Sequence, residues 1–228
     1  MVAPTVVPKT YGGLHSPPHT DHNTASITTT NGSLVIIDVM TRYDIGATVR
    51  PTISGAAITA VTFVTEQIFA PDVGYRISRF KATGTGGTGV ITIAHSDQWT
   101  CQWAVTEYTH ASGQPVLLQT VFAKDETGSA TSLTVNLSAL RDADSRSHGT
   151  FLIIQTEVIS PGSGFTQDGQ DNTFDSIMRE HGGTATAVNA TVSAYAINMY
   201  GFADEIGAPT VAGGASVAAV ARRRQENN

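Results

Sequence analysis

Residues 33–42 read Ser-Leu-Val-Ile-Ile-Asp-Val-Met-Thr-Arg, and Leu34, Val35, Ile36 and Ile37 form an unbroken apolar centre. A short continuous run of this kind is what a β-strand covered on both faces requires. Around it lie shorter runs with a period of two. In residues 75–82, Tyr75, Ile77 and Arg79 fall on one side, with Arg76, Ser78 and Phe80 on the other. Trp99, Cys101, Trp103 and Val105 share a face, with Thr100, Gln102 and Thr106 opposite. Leu133, Val135 and Leu137 alternate with polar neighbours, as do Val188, Ala190, Val192 and Ala194. Alternation places apolar groups on one side of a pleated strand. Residues 60–69 mix β-branched and aromatic side chains, residues 89–95 follow a glycine-rich turn, and residues 151–154 are solidly apolar. Many short strands between turn signals predict an all-β, two-sheet antiparallel sandwich with little helix. Residues 172–180, opened by a capping Asn172, are the one internal stretch that reads as a helical turn.

Composition agrees. The 228 residues include 22 glycines, 14% are charged, and the net charge is −6. The chain is too apolar for disorder and too acidic to wrap nucleic acid through its phosphates. No run reaches the roughly 18 apolar residues of a membrane span. Met1-Val2-Ala3-Pro4 does not open a signal peptide, so synthesis in a cytoplasm is expected. The single Cys101 excludes an internal disulfide framework and a cysteine-rich zinc site.

Three segments are expected: an irregular N-terminal arm over 1–24, a β domain over 25–203 and a C-terminal tail over 204–228. The arm is rich in Pro and His and shows no periodicity. His15, His19, Asp21 and His22 are metal-ligand types, but Pro17 and Pro18 leave them without a scaffold, and no metal or other cofactor is expected. The glycine run 84–89 leads into a strand rather than a helix, so it is a turn and not a phosphate cradle. Asp168, Asp171 and Asp175 offer oxygens for calcium without EF-hand spacing and read as a solvated loop. Glu107 and Glu157 are the carboxylates a glycosidase would need, but nothing pairs them. Trp99, Trp103 and Tyr108 would make a sugar platform if exposed, but the face shared with Cys101 and Val105 makes Trp103 a core residue.

The order of blocks resembles the jelly-roll-type domain of minor tail and other virion-surface proteins of tailed bacteriophages. The blocks are Gly32-Ser-Leu-Val-Ile-Ile-Asp-Val, Gly74-Tyr-Arg-Ile-Ser-Arg-Phe-Lys-Ala, Gly89-Val-Ile-Thr-Ile, Trp103-Ala-Val-Thr-Glu-Tyr, Gly149-Thr-Phe-Leu-Ile-Ile, Pro161-Gly-Ser-Gly-Phe-Thr and Ala194-Tyr-Ala-Ile-Asn-Met-Tyr. The chain departs from that pattern at Gly32-Ser33, where Gly-Asp is usual, and at Ser54-Gly55-Ala56, where a Gly-Trp-Thr turn is common. The resemblance implies a jelly-roll-like sandwich and a non-enzymatic structural component of the virion, on tail, collar or capsid surface. It implies other virion proteins and further copies of this chain as partners, with a homotrimer expected by analogy.

Assembly is expected through both ends. Val6, Val7, Tyr11 and Leu14 supply apolar contacts in the arm, and Arg222, Arg223 and Arg224 supply charge in the tail. Residues 1–22 are accordingly expected to be dispensable for folding and needed for assembly. The competing reading is a carbohydrate-binding adhesion module for a host-surface glycan, and a polysaccharide hydrolase is a third.

Overall fold

The computed structural model describes residues 2–43, 49–69, 74–172, 175–196 and 198–209. All regular structure among them is β-strand, and every pairing is antiparallel. A six-stranded sheet runs β1 (Thr5–Asn23), β8 (Ile91–Thr109), β3 (Leu34–Tyr43), β6 (Gly74–Gly84) and β5 (Ile58–Phe69), with β4 (Thr52–Gly55) on the far half of β8. A five-stranded sheet runs β13 (Phe165–Asp171), β14 (Ser176–Gly182), β11 (Arg146–Ile153), β16 (Met199–Gly207) and β9 (Val116–Asp125). These two sheets form the expected sandwich. A third sheet, β10 (Ala130–Asn136), β15 (Ala187–Ala196) and β12 (Ile159–Pro161), lies over the outer face of the second. A ribbon of β2 (Ile27–Thr28) and β7 (Thr88–Gly89) completes the fold.

Both central sheets are covered on both faces. Along β3, Val35, Ile37 and Val39 enter a core with Ile91, Ile93, Cys101 and Trp103. Their neighbours on the other face, Leu34, Ile36 and Met40, point between the sheets, where Met40 meets Leu152, Ile177, Tyr200 and Phe202. On the five-stranded sheet, Phe151, Ile153 and Met178 face outward into a second core with Val135, Val188 and Ile159. Continuous apolar runs in β3 and β11 therefore serve two cores at once, as central strands do.

Two expectations are corrected. Residues 5–23 are not an irregular arm: β1 pairs with β8 from Thr5↔Thr109 to Asn23↔Thr92. The register shifts between His15 and His19 and between His19 and Asp21, around Pro17-Pro18. Proline has no N–H for a ladder, so an edge strand can carry two only by slipping past them. Gly12 stands opposite Trp103, and a Cβ there would come within 2.8 Å of the indole. The glycines that obscured the strand are what let the ring lie across it. Nor is the helical turn expected over 172–180 found among the described residues there: Ser176 to Glu180 belong to β14, which pairs on both sides. The β domain thus includes β1, and β16 carries it to Gly207, while the tail from 210 onward, with Arg222, Arg223 and Arg224, lies outside the described residues.

Trp103 is 5% exposed, within the first core and under β1. Trp103→Ala should cost about 3–5 kcal/mol, the usual range for a large buried aromatic. Urea denaturation of the variant beside the parent checks this; an unchanged midpoint would take Trp103 out of the core.

Candidate functional site

Charge is concentrated in the seam between the two central sheets. Asp38 on β3 and Arg79 on β6 come from one sheet, and Thr150, Arg179 and Asp204 on β11, β14 and β16 come from the other. All are fully buried. Arg79 grips Asp38 with two donors, Nε to Oδ1 at 2.6 Å and Nη2 to Oδ2 at 2.9 Å, and its Nη1 bonds Asp204. Arg179 Nη1 reaches Asp38 Oδ2 at 3.1 Å, while its Nε donates to the Tyr108 hydroxyl at 3.1 Å. Thr150 donates to Asp38 at 2.7 Å, and Thr120 donates to Asp204 at 2.9 Å. Two arginines balance two aspartates, so the cluster is neutral as a whole. Burial alone would raise the Asp38 carboxyl, but the charge and hydrogen bonds of Arg79, with Arg179 and Thr150, hold it below the usual carboxylate range. Next to it His148 lies edge-on to Tyr108, and burial together with the Arg179 charge pushes it well down, so it stays neutral. The arginines and aspartates are spent on one another, and the buried cluster is closed to a substrate.

The other carboxylates named from sequence are also placed. Glu107 is clamped by Lys9 at 2.7 Å, Ser33 at 2.6 Å and the Thr30 amide. Glu157 precedes β12 of the third sheet and accepts from Ser193 at 3.1 Å. The two serve different sheets. Asp168 and Asp171 stand in strand β13, not in a solvated loop, and Asp168 is bonded to His181. Asp175 is buried, which raises its carboxyl to about 6. Tyr108 is fully buried and Trp103 nearly so, so neither presents a face to a sugar. In the N-terminal cluster Asp21 is exposed and His22 buried; the side chains of His15 and His19 lie outside those described.

The assembly residues of the arm are largely consumed within their own chain. Tyr11 shares a 3.0 Å hydrogen bond with Thr106 and lies over Gly169 of β13, where a Cβ would come within 2.4 Å of its ring. Val6 packs on the cluster of Leu34, Ile36, Tyr108 and Ile206. Val7 is half-buried, whereas Leu14 is 47% exposed. Residues 1–22, expected to be dispensable for folding, instead supply the edge strand β1, so their removal would strip that strand and uncover Trp103.

The opposite margin of the sandwich is open. There β5 ends one sheet and β9 ends the other, and among the described residues each has a neighbour on one side alone. Between them runs a groove of about 520 Å³ in which Phe63, Val64, Leu117 and Leu118 are interleaved with the polar Thr62, Thr65, Lys81, Gln119 and Thr120. A second hollow of about 280 Å³ continues it toward Gln114 and Pro115, sharing Thr62, Lys81 and Leu117. Phe63 and Ile68 are exposed, and Arg50 stacks on Phe63 at 3.7 Å. The edge of β5 is interrupted by two register shifts and by Ala60, whose φ of 49° is a left-handed value. That of β9 is regular from Met199↔Asp125 to Glu205↔Gln119. Bulges discourage edge pairing, so β9 is the better template. Nothing in residues 116–125 alternates, and their strand carries no sequence signal.

Comparison of the chain with protein-family models, with curated proteins and with solved structures finds no match.

One buried group makes stability pH-dependent. Glu180 on β14 accepts from the Gly162 amide at 3.2 Å through Oε2, while Oε1 has no hydrogen-bond partner among the described residues. Burial pushes its carboxyl up to about 8; the Gly162 bond lowers it and the nearby Asp168 charge raises it further. A carboxyl with its folded pKa above its unfolded value favours folding when protonated. Its contribution is lost as pH rises from the ordinary carboxylate range through about 8. Glu180→Gln should leave stability near about pH 5 almost unchanged and raise it at about pH 9 by on the order of 1–3 kcal/mol. Urea midpoints at the two pH values read this out, and a variant equally destabilised at both would contradict it.

Proposed function

We propose that this chain is a non-enzymatic structural protein of a tailed-phage particle, assembling with copies of itself through the β5/β9 margin. The observation that carries the reading is the asymmetry of the sandwich. One side is closed by β1 against β13, through Tyr11 on Gly169, and the other is left open among the described residues, with a regular strand edge at β9. The block resemblance over roughly residues 24–203 supports the particle context. A glycan-binding role has less support, since Trp103 and Tyr108 are buried.

The occupant proposed for the groove is residues 210–228 of a neighbouring copy. The described chain ends at Pro209, next to Gly113, where a Cβ would lie 3.6 Å from Pro209 Cγ, beside the mouth of the groove at Gln114 and Pro115. Residues 210–222 would span about 43 Å when extended, and β9 spans about 33 Å, so the segment is long enough to run its length. Val211 and Val217, on one side of an extended segment, would meet Phe63, Leu117 and Leu118, and Arg222, Arg223 and Arg224 would arrive near Asp125 and Glu126 at the far end. Exchange of an identical segment is a low-cost route to an oligomer, and main-chain bonds to a sheet edge supply affinity.

Light scattering after size exclusion tests this on three proteins: the full chain, a chain ending at Pro209, and the full chain with Phe63→Glu. The full chain should be oligomeric, the shortened chain a folded monomer, and Phe63→Glu should weaken association. A monomeric full chain, or the same oligomeric state for the full and shortened chains, would overturn the assembly reading.

A further inference from the structure

The sharpest chemistry left over lies on the inner face of the bent strand pair β1 and β8. The near half of β8, residues 100–108, pairs with β3, whereas its far half, 91–94, pairs with β4. His95 and Cys101 are six residues apart, a separation of roughly 20 Å along a straight strand. Yet one ligand atom each from His22, His95 and Cys101 lie within 4.8 Å of one another. The strand therefore turns a corner there, and β1 follows it, bringing His22 to the same corner from the position opposite Ile93. The two imidazoles lie 4.9 Å apart at 34°, and His22 is 6.5 Å from Trp103 at 37°. Exposures are 3% for His22, 9% for His95 and 0% for Cys101.

We propose that His22, His95 and Cys101 bind a zinc ion that pins β1 to the corner of β8. Two imidazole nitrogens and a thiolate sulfur are borderline-soft donors of the kind zinc takes, at about 2.0–2.1 Å for nitrogen and 2.3 Å for sulfur. Tetrahedral binding at those lengths puts the donors about 3.3–3.6 Å apart, so the trio must draw in by on the order of 1 Å. On binding, the Cys101 thiol gives its proton to solvent and the S–Zn bond replaces the S–H bond; no electrons change hands. Three protein donors leave the fourth position to water. His95, the least buried, marks the side from which the ion enters. The site draws on His22 alone among the histidines of the N-terminal segment, its other ligands coming from a different strand. Nothing in the spacing of residues 22, 95 and 101 reveals it.

Untagged full-length protein, loaded with zinc and passed through size exclusion, should retain about one zinc per chain. With cobalt in place of zinc it should show a thiolate-to-cobalt charge-transfer band and the visible bands of a tetrahedral ion. His22→Gln, His95→Gln and Cys101→Ser should each lose both signals, and His19→Gln should keep them. If Cys101→Ser fails to fold, the cobalt spectrum of the parent protein decides, since the charge-transfer band arises from a cysteine ligand and the chain has one cysteine. Folded parent protein that retains no zinc and shows no such band overturns the proposal. So does zinc retained by His22→Gln and His95→Gln.

Discussion

Asp38, Arg79, Arg179 and Asp204 are sealed between two sheets, and each is satisfied by partners drawn from both. Burying four charges is costly, and an apolar seam of similar shape would serve stability as well or better. What the quartet adds is registry. Side chains alternate along a strand, so a slip of one residue in β3 would carry Asp38 from the seam into the core of Val35, Ile37 and Val39. Arg79 and Arg179 would then be buried without their shared carboxylate. The apolar contacts around Met40, Leu152, Tyr200 and Phe202 hold the sheets together, and the charged contacts dictate how they are aligned.

From that alignment follow the two margins. With β6 over β16 and β3 over β11, the ends of the sheets fall at β1 and β13 on one side and at β5 and β9 on the other. The first side is tied by Tyr11 across Gly169, and the Lys9–Glu107 ion pair holds β1 to its neighbour β8. The second is joined deep down by Phe69, stacked on Tyr200 at 3.7 Å and facing Phe122 at 6.1 Å, but not along its rim. The same fold thus offers one finished edge and one unfinished edge.

How much of this was legible from the residues varied with the strand. Continuous apolar runs marked β3 and β11 as central, and alternation marked β6, β10, β15 and the near half of β8. Trp103 was placed in the core by the company of Cys101 and Val105. The N-terminal strand was hidden because its glycines make room for aromatic rings, its prolines sit at register shifts, and its apolar residues follow no period. β9 and β13 were hidden for a related reason: edge strands bury neither face fully, so their sequences need not alternate. An aspartate within an apolar run, as in residues 33–42, was a signal of the buried quartet, but its partners Thr150 and Arg179 lie over a hundred positions away and no local pattern points to them.

The dependence of the sandwich on its charged seam is tested most directly by a double-mutant cycle across it. Asp38→Asn, Arg179→Met and the pair together would be compared with the parent by urea denaturation. Each single change leaves an unbalanced buried charge and should cost about 3–5 kcal/mol. The double variant keeps Arg79 with Asp204, a balanced pair, and should be well short of the sum, with a coupling of about 1.5–3 kcal/mol. Costs that add to within about 0.5 kcal/mol would show that the two sheets do not depend on this contact.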